Sequence, residues 1–226
     1  MSQKAVDSKD KQELDRLLEE RWLSGLWNIK AEERPLDPKT SVRPHIWKWA
    51  DVYDGLLQAA DRIGIKSGGV ERRNIRLVNP GLKDRQLTTH TMLFCFQLIL
   101  PGEVAPAHRH TMTAIRFVLK GKRAYTNVEG EKKIMGAGDL ILTPQWTWHE
   151  HANEGDEPMV WADGLDVPLI ESLEVISVER YAEERLPVKE GRIHPSLYGM
   201  VRPASLPMGR LTPPLHYRWQ DTYASL

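Results

Sequence analysis

The sequence predicts an all-β core that follows an α-helical N-terminal extension. Three patterns indicate this architecture. From about residue 73, the chain consists of short apolar runs divided by turn signals. Before that point, leucine and tryptophan recur at helical spacings of three and four residues. After Asp166, proline-rich segments interrupt both patterns. We therefore divide the chain into a helical extension (1–72), a barrel (73–170) and an irregular proline-rich tail or linker (171–226).

The extension contains two predicted helices. Residues 8–30 are amphipathic, and Asp10 with Glu13 resembles a capping box at their start. Three prolines interrupt residues 31–46, and a second helix is predicted from about Ile46 to Ile63. We expect the apolar stripe of the first helix to pack on the domain or on a neighbouring subunit rather than to bind a cofactor. This stripe consists of Leu14, Leu17, Leu18, Trp22 and Leu26.

Six short apolar runs predict the strands of the core. Many short strands at such intervals are typical of a β-sandwich or a β-barrel. The segment Val128-Glu129-Gly130-Glu131 is predicted to be a hairpin turn. The predicted strands span residues 73–78, 92–100, 114–119, 124–128, 140–143 and 159–162.

Composition limits the partners and the compartment. The 226 residues include 31 basic and 31 acidic side chains, so zero net charge gives no reason to expect nucleic acid or an anionic membrane. The N-terminus has no apolar segment typical of a signal peptide, and no run of apolar residues is long enough to cross a membrane. The single cysteine, Cys95, fits a reducing cytoplasm, and its apolar neighbours predict a buried, unreactive thiol.

Two histidine-containing segments carry the chemistry. In the first, His108 and His110 are two residues apart, so on a strand both imidazoles lie on the same face. Such a pair can chelate a metal, although two surface histidines near a turn would have the same spacing. The second segment supplies His149 and His151, again two residues apart. A third and a fourth histidine strengthen the prediction of a metal site.

The two segments resemble the two signature motifs of the cupin superfamily. This resemblance implies a cupin barrel, a double-stranded β-helix of the jelly-roll type, with His108, His110 and His149 as metal ligands. Ala114 stands where the first motif has glutamate, and Trp146 stands where the second motif has its second glycine. Without the glutamate, the ligand set is three neutral histidines, and one more coordination position is open. The matching positions are Gly102, His108, His110 and Gly121, then Gly138, Pro144, His149 and Asn153.

Residues 42–49, 101–110, 143–151 and 158–166 are similar to the gentisate 1,2-dioxygenase group, which includes salicylate and 1-hydroxy-2-naphthoate dioxygenases. The resemblance implies an Fe(II) enzyme that inserts both atoms of O2 into an aromatic ortho-hydroxy acid, with gentisate to maleylpyruvate as the first expectation. Members usually have two cupin barrels with iron in the N-terminal one. This chain resembles the N-terminal half plus a linker, which implies a fragment, a truncated gene or a compact variant. A homo-oligomer, tetramer or dimer, is also expected.

Strand alternation adds two candidate catalytic residues. Arg116 has the same parity as His108 and His110, so it is predicted to face the same cavity and to bind a substrate carboxylate. The alternative is a structural ion pair with a buried acid. His151 has the parity of His149, and the resemblance implies that it hydrogen-bonds substrate or dioxygen, or moves a proton. The alternative is a histidine that only supports its neighbours.

The resemblance implies further substrate-binding residues. Arg72 and Arg73 precede the first strand, and of the two Arg72 is our choice for the pocket. Gln97 and Asp163 occupy similar pocket positions, and Asp163 could orient His151 or pair with an arginine. Trp146 and Trp148 are candidates for the wall of the aromatic slot, with plain core packing as the alternative.

Two other functional classes stay open from sequence. Cupins also include isomerases and decarboxylases that use other metals, and the fold alone does not choose among them. A non-catalytic cupin that senses a small molecule is the second alternative. The missing glutamate and the two tryptophans before His149 favour the ring-cleaving group.

Overall fold

The computed structural model describes residues 8–65, 72–189, 215–224 and 226, which fall into two compact units, Met1–Ser41 and Val42–Leu226. An all-β core with helices before it confirms the predicted fold class. No helix among the described residues combines the length and apolar character needed to cross a membrane. The α-helices are α1 (Ser8–Glu19), α2 (Trp49–Arg62), α3 (Val167–Ser172) and α4 (Trp219–Tyr223).

The first unit contains a shorter helix than the sequence predicts. Helix α1 ends at Glu19 rather than continuing to residue 30, and Trp22 adopts a left-handed backbone with φ of 58°. The Asp15 carboxylate accepts hydrogen bonds from Trp27 Nε1 at 3.0 Å and Asn28 Nδ2 at 2.8 Å. These bonds tie the segment after α1 back to the helix.

Helix α2 lies in the same compact unit as the strands, although the sequence grouped residues 1–72 as one extension. It begins at Trp49, three residues later than predicted, and ends at Arg62. Its buried residues Val52 and Leu56 pack with Leu98 and Val160, which belong to two strands of the core. The apolar face of α2 therefore covers part of one of the two sheets.

Eleven strands among the described residues form the core. Five of the six predicted strands match within two residues at each end, and the last extends to Leu165 instead of ending at residue 162. The strands are β1 (Asn74–Arg76), β2 (Leu93–Ile99), β3 (Val104–His110), β4 (Ala114–Lys120), β5 (Lys122–Val128), β6 (Glu131–Gly136), β7 (Leu140–Thr143), β8 (His149–Asn153), β9 (Met159–Leu165), β10 (Val178–Arg180) and β11 (His216–Tyr217).

The strands form two antiparallel sheets. Sheet A has the order β1-β2-β9-β4-β7-β11, and sheet B has the order β10-β3-β8-β5-β6. One buried cluster contains Ile99, Val118 and Trp161 from sheet A together with Ala105 and Ala124 from sheet B. The main core therefore lies between the two sheets, as in a jelly-roll barrel. The predicted hairpin turn joins β5 to β6, with Glu129 and Gly130 both at positive φ.

The tail is less irregular than the prediction for 171–226. Strand β10 pairs with β3, and β11 pairs with β7, so the tail adds an edge strand to each sheet. Asp139 anchors the second of these strands: its carboxylate lies 2.9 Å from His216 Nε2 and accepts from Trp219 N at 2.7 Å. Residues 190–214, which contain most of the predicted proline-rich segments, lie outside the described residues.

Candidate metal centre

Strands β3 and β8 of sheet B position three histidines. His108 and His110 are two residues apart on β3 and share a face. His108 is the register partner of His149 on β8. The distances between the centroids of the three rings range from 4.4 to 5.3 Å, and one nitrogen of each ring lies within 4.8 Å of the others. The structure therefore brings together the three residues that the sequence proposed as ligands.

A backbone carbonyl lies beside Nδ1 of each ring. The carbonyl oxygens are those of Pro106 at 3.1 Å from His108, Met112 at 2.8 Å from His110 and Thr147 at 2.9 Å from His149. A carbonyl oxygen only accepts hydrogen bonds, so the contacts of His110 and His149 favour a proton on Nδ1 and a free lone pair on Nε2. His108 Nδ1 also lies 2.6 Å from Arg72 Nη2, which only donates, so its two neighbours favour opposite tautomers. This backbone support fixes ring orientation in the way that metal sites commonly use.

The environment keeps all three rings uncharged at neutral pH. Burial lowers the pKa of His108 to about 3, with the nearby Arg72 guanidinium as the next cause. Burial likewise lowers the pKa of His110, and lowers that of His149 well below its ordinary value. Neutral imidazole is the form that coordinates metal. Three converging neutral nitrogen donors fit a divalent transition metal ion.

No carboxylate joins the three histidines in the metal-ligand group found among the described residues. Ala114, at the position where the cupin motif has glutamate, is buried in β4. Such a set leaves more of the coordination sphere open than a four-ligand site does. Metal binding itself stays a prediction, and the choice of metal is taken up below.

His151 lies beside this cluster but is not part of it. Its ring centroid is 5.7 Å from that of His149 and 5.5 Å from that of Trp161 in sheet A. The ring is buried, and its Nδ1 lies 2.9 Å from Thr126 Oγ1. Burial, followed by the charge of Arg116, lowers its pKa well below the ordinary value. His151 is therefore a neutral side chain in the core next to the candidate ligands.

Sheet A contributes a buried ion pair to the same core. Arg116 Nε lies 2.9 Å from Asp163 Oδ1, and both side chains are about 5% exposed or less. Arg116 Nη1 donates to Thr143 Oγ1 at 3.3 Å, and Asp163 Oδ2 accepts from Trp161 Nε1 at 2.9 Å. The pairing with a buried acid is the alternative that the sequence left open for Arg116. Of the two options for Asp163, the structure has the pairing with an arginine.

Burial raises the pKa of the Asp163 carboxyl, and the Arg116 charge opposes that rise. The strand register places Asp163 directly opposite both Arg116 and Cys95. The Arg116 charge in turn is among the causes that lower the pKa of His108, His110 and His149. The charge of Arg116 therefore acts electrostatically on all three histidines of the cluster.

Gln97 is buried in β2, opposite Trp161 in the register. Its Nε2 has no hydrogen-bond partner among the described residues. A buried amide without a partner costs free energy, so such a group is a candidate donor to a ligand. This observation supports its predicted place in a pocket without testing it.

The two arginines before β1 have different surroundings. Arg72 Nη2 lies 2.6 Å from His108 Nδ1 and donates to the Pro106 carbonyl at 3.0 Å, so it reaches the candidate metal site. Arg73 is 3% exposed, and its guanidinium lies against the two carboxylate oxygens of Glu103 at 2.9 and 2.6 Å. The structure thus places Arg72, rather than Arg73, at the cluster.

Sequence reasoning missed the position of the two tryptophans. Arg109 Cζ lies 4.5 Å from the Trp146 ring centroid and 4.4 Å from that of Trp148. Arg109 lies between His108 and His110 on β3, so its side chain points to the opposite face of the sheet. Trp146 is 39% exposed. The tryptophans therefore flank an outward-pointing arginine instead of forming the wall of an inner slot.

A protein-family model described as a cupin domain matches residues 95–168, which contain the three candidate ligands and His151. The chain therefore contains a cupin domain. Among curated relatives, it is 40% identical to gentisate 1,2 dioxygenase 1 of Aquipseudomonas alcaligenes over 81% of this chain and 52% of that protein. It is 39% identical to 1-hydroxy-2-naphthoate 1,2-dioxygenase of a Nocardioides species over 94% of this chain and 56% of that protein.

The solved structures extend this similarity. Salicylate 1,2-dioxygenase from Pseudaminobacter salicylatoxidans matches 98% of this cupin chain and 64% of its own chain, with a TM-score of 0.74 and 32% identity. Another structure of that enzyme is described as an adduct with gentisate. The chain spans about half to two thirds of the length of these relatives. These findings confirm the resemblance to the gentisate 1,2-dioxygenase group.

Proposed function

We propose that this cupin cleaves the ring of an aromatic ortho-hydroxy acid with dioxygen, using Fe(II) held by His108, His110 and His149. Gentisate is the first choice of substrate, with maleylpyruvate as the product. The observation that carries the proposal is a buried cation, Arg116, in the same core as a three-histidine group without a carboxylate. A buried arginine beside open coordination positions suits a ligand that has a carboxylate and an adjacent hydroxyl.

The proposed metal supplies the redox chemistry. Bound Fe(II) would provide a redox-active centre with open positions, which removes the spin restriction that keeps dioxygen from reacting directly with a closed-shell aromatic ring. The carbonyls of Met112 and Thr147 hold Nδ1 of His110 and His149, which leaves the Nε2 atoms of these two rings for the metal.

Arg116 binds the substrate carboxylate in this proposal. The guanidinium now faces Asp163 through Nε and Thr143 through Nη1, and neither contact uses Nη2. An incoming carboxylate takes the remaining donors and competes with Asp163 for the charge. The raised pKa of Asp163 eases this exchange, because protonation of that carboxyl avoids two buried anions at one cation.

Three further residues complete the proposed pocket. Gln97 Nε2 donates its unused hydrogen bond to a substrate oxygen. Arg72 supplies a second cation next to His108. His151 is neutral and buried, so it offers a hydrogen bond to the substrate or to dioxygen, and Thr126 Oγ1 orients its ring. The carbon–carbon bond that breaks joins the carboxyl-bearing carbon to the adjacent hydroxylated carbon, and both oxygen atoms enter the product.

Oxygen uptake tests the proposal. The protein is loaded with Fe(II) under anaerobic conditions and offered gentisate, salicylate and 1-hydroxy-2-naphthoate in turn, while absorbance of the ring-opened product is followed. We expect uptake that matches product, and loss of both in His108→Ala. His45→Ala is the matched control, because His45 is exposed and outside the cluster. No uptake by protein that holds one equivalent of iron would refute the dioxygenase and favour other cupin chemistry or a sensor.

A further inference from the structure

The outer side of β3 has a built arrangement that the proposed reaction does not use. Arg109 lies between the rings of Trp146 and Trp148, at 4.5 and 4.4 Å from their centroids. Its Nε and Nη2 both donate to Glu179 Oε2, at 2.8 and 2.6 Å. Glu179 belongs to β10 and is the register partner of Arg109. One guanidinium thus links β3, β10 and the loop Pro144–Trp148 that precedes His149.

This loop contacts two of the candidate ligands through its backbone. Trp146 N donates to the His110 carbonyl at 2.7 Å. The Thr147 carbonyl lies 2.9 Å from His149 Nδ1 and so orients that ring. The two tryptophans that contact Arg109 lie directly on either side of Thr147. A shift of the loop would therefore move His149 relative to His108 and His110.

Trp146 has a backbone conformation that a tryptophan rarely adopts. Its φ is +59°, in the left-handed region that favours glycine. The corresponding position of the cupin motif is a glycine, as noted above. The side chain is 39% exposed, so burial in the core does not account for a bulky residue here. Strained residues persist where their surroundings fix them and where the strain serves a site. The cation–π contact with Arg109 is the interaction that the Trp146 side chain makes and a glycine would not.

We propose that Arg109, held between Trp146 and Trp148 and paired with Glu179, is a positioning residue that fixes the loop Pro144–Trp148 and so sets how tightly the three histidines retain their metal. The inference rests on the metal site of the proposed function but not on its substrate or reaction. Arg109 acts through the loop backbone: the stack fixes residues 146 and 148, and Thr147 between them orients His149. The contacts that hold the loop in place offset the backbone strain at Trp146.

Metal retention without turnover tests the inference. Co(II) alone is the probe, and its affinity is measured by competition with a chromophoric chelator while its visible d–d absorption reports the ligand geometry. Arg109→Ala removes the stack and the ion pair, and we expect about a tenfold weaker affinity and an altered d–d spectrum. Arg109→Lys keeps the charge and recovers only part of the loss, because an ammonium lacks the planar face and the fork of a guanidinium.

Trp146→Gly separates positioning from plain stability. Glycine relieves the strained φ, so the metal-free variant unfolds at the same or a higher temperature than the wild type, yet it holds Co(II) about tenfold more weakly. Lys120→Ala is the matched control. Lys120 lies 4.7 Å from the Tyr53 ring and donates to its hydroxyl at 2.8 Å, so this variant loses a surface cation–π contact far along the chain from the loop, and Co(II) affinity stays unchanged.

Two results would overturn the inference while leaving the proposed function in place. One is wild-type Co(II) affinity in both Arg109→Ala and Trp146→Gly. The other is a loss of affinity that only follows a loss of thermal stability, which would make these residues structural. A wild-type protein that binds no metal removes this inference together with the proposed function. A wild-type protein that retains metal without consuming oxygen removes the proposed function alone.

Discussion

Two buried arginine–carboxylate pairs in this chain have similar chemistry and different surroundings. In the first, Arg73 donates to both carboxylate oxygens of Glu103 at 2.9 and 2.6 Å, and its other donors reach the carbonyls of Ile63 at 2.8 Å and Leu98 at 3.3 Å. Glu103 Oε2 also accepts from Leu100 N at 2.7 Å. Every charge in this pair has several hydrogen bonds.

The second pair is less completely bonded. Arg116 Nε lies 2.9 Å from Asp163 Oδ1, but these two atoms lack the alignment of a hydrogen bond. The only side-chain bond of the guanidinium among the described residues is to Thr143 at 3.3 Å. Gln97 Nε2 is also unsatisfied in this core. The comparison indicates that the first pair holds the fold together, whereas the second keeps donors available for a ligand.

Removing one partner of the first pair should have the largest effect on stability. Arg73→Ala leaves Glu103 partly buried without its cation and frees two backbone carbonyls. We expect the free energy of unfolding to fall by about 3–5 kcal/mol, measured by urea denaturation of the metal-free protein. Arg72→Ala is the neighbouring control and should cost less than half as much. A loss below about 1 kcal/mol in Arg73→Ala would contradict the structural assignment.

Replacing each carboxylate by its isosteric amide tests whether the two ion pairs differ in this way. Asp163→Asn leaves Arg116 buried without a counter-charge, so the melting temperature of the ligand-free protein should fall, by the equivalent of about 2 kcal/mol. Gentisate, measured in the same thermal scan with Fe(II) and without oxygen, should then raise it more than it raises the wild type, because its carboxylate replaces the missing anion. Glu103→Gln should also lose stability, but gentisate should not restore it. If gentisate raised the melting temperature equally in the two variants, the two ion pairs would not differ in their availability to a ligand.

Gln97→Leu should separate stability from binding. Leucine removes a buried amide nitrogen that has no partner, so the free energy of unfolding should stay the same or rise by about 1 kcal/mol. Affinity for gentisate should fall several-fold, because the proposed donor is gone. Calorimetric titration of the Fe(II)-loaded protein without oxygen checks the predicted loss of affinity for gentisate. A clear loss of stability with unchanged affinity would show that Gln97 is structural.

The smallest expected effect concerns Cys95, whose thiol should not react with an alkylating reagent in the native protein. Burial raises the pKa of its thiol to about 12, with the Asp163 charge as the next cause. At pH 8.5 almost no thiolate is present, so iodoacetamide should leave the native protein unmodified, as mass spectrometry would show, and should alkylate it after unfolding in urea. Rapid alkylation of the native protein would mean that this side of the core opens to solvent.

The sequence predicted the site best where the alternation of strands applies. His108 and His110 share a face because they are two residues apart, and the same parity placed Arg116 in the core. The ion pair with Asp163 could not be chosen in advance, because pairing between β4 and β9 depends on a register that the sequence alone does not give. For that residue, both alternatives were compatible with the pattern.

The two edge strands of the tail and the outward-pointing contacts were not predicted from the sequence. The residues of β10 are all exposed, so this strand lacks the apolar alternation that marked the others. The Arg109 stack depends on side chains that point away from the core, where no periodicity constrains them. One signal was available: Trp146 replaces a motif glycine, and the left-handed backbone at this position explains why glycine is favoured there.

In the proposed function Arg116 is available to a carboxylate ligand, whereas Arg73 only stabilises the fold. The most direct test is calorimetric titration of gentisate into the Fe(II)-loaded protein without oxygen, for the wild type and for Arg116→Gln. We predict about a 100-fold weaker affinity in the variant, equivalent to about 2.7 kcal/mol, while one equivalent of iron stays bound. Wild-type affinity for gentisate in Arg116→Gln, with the iron content intact, would contradict the account.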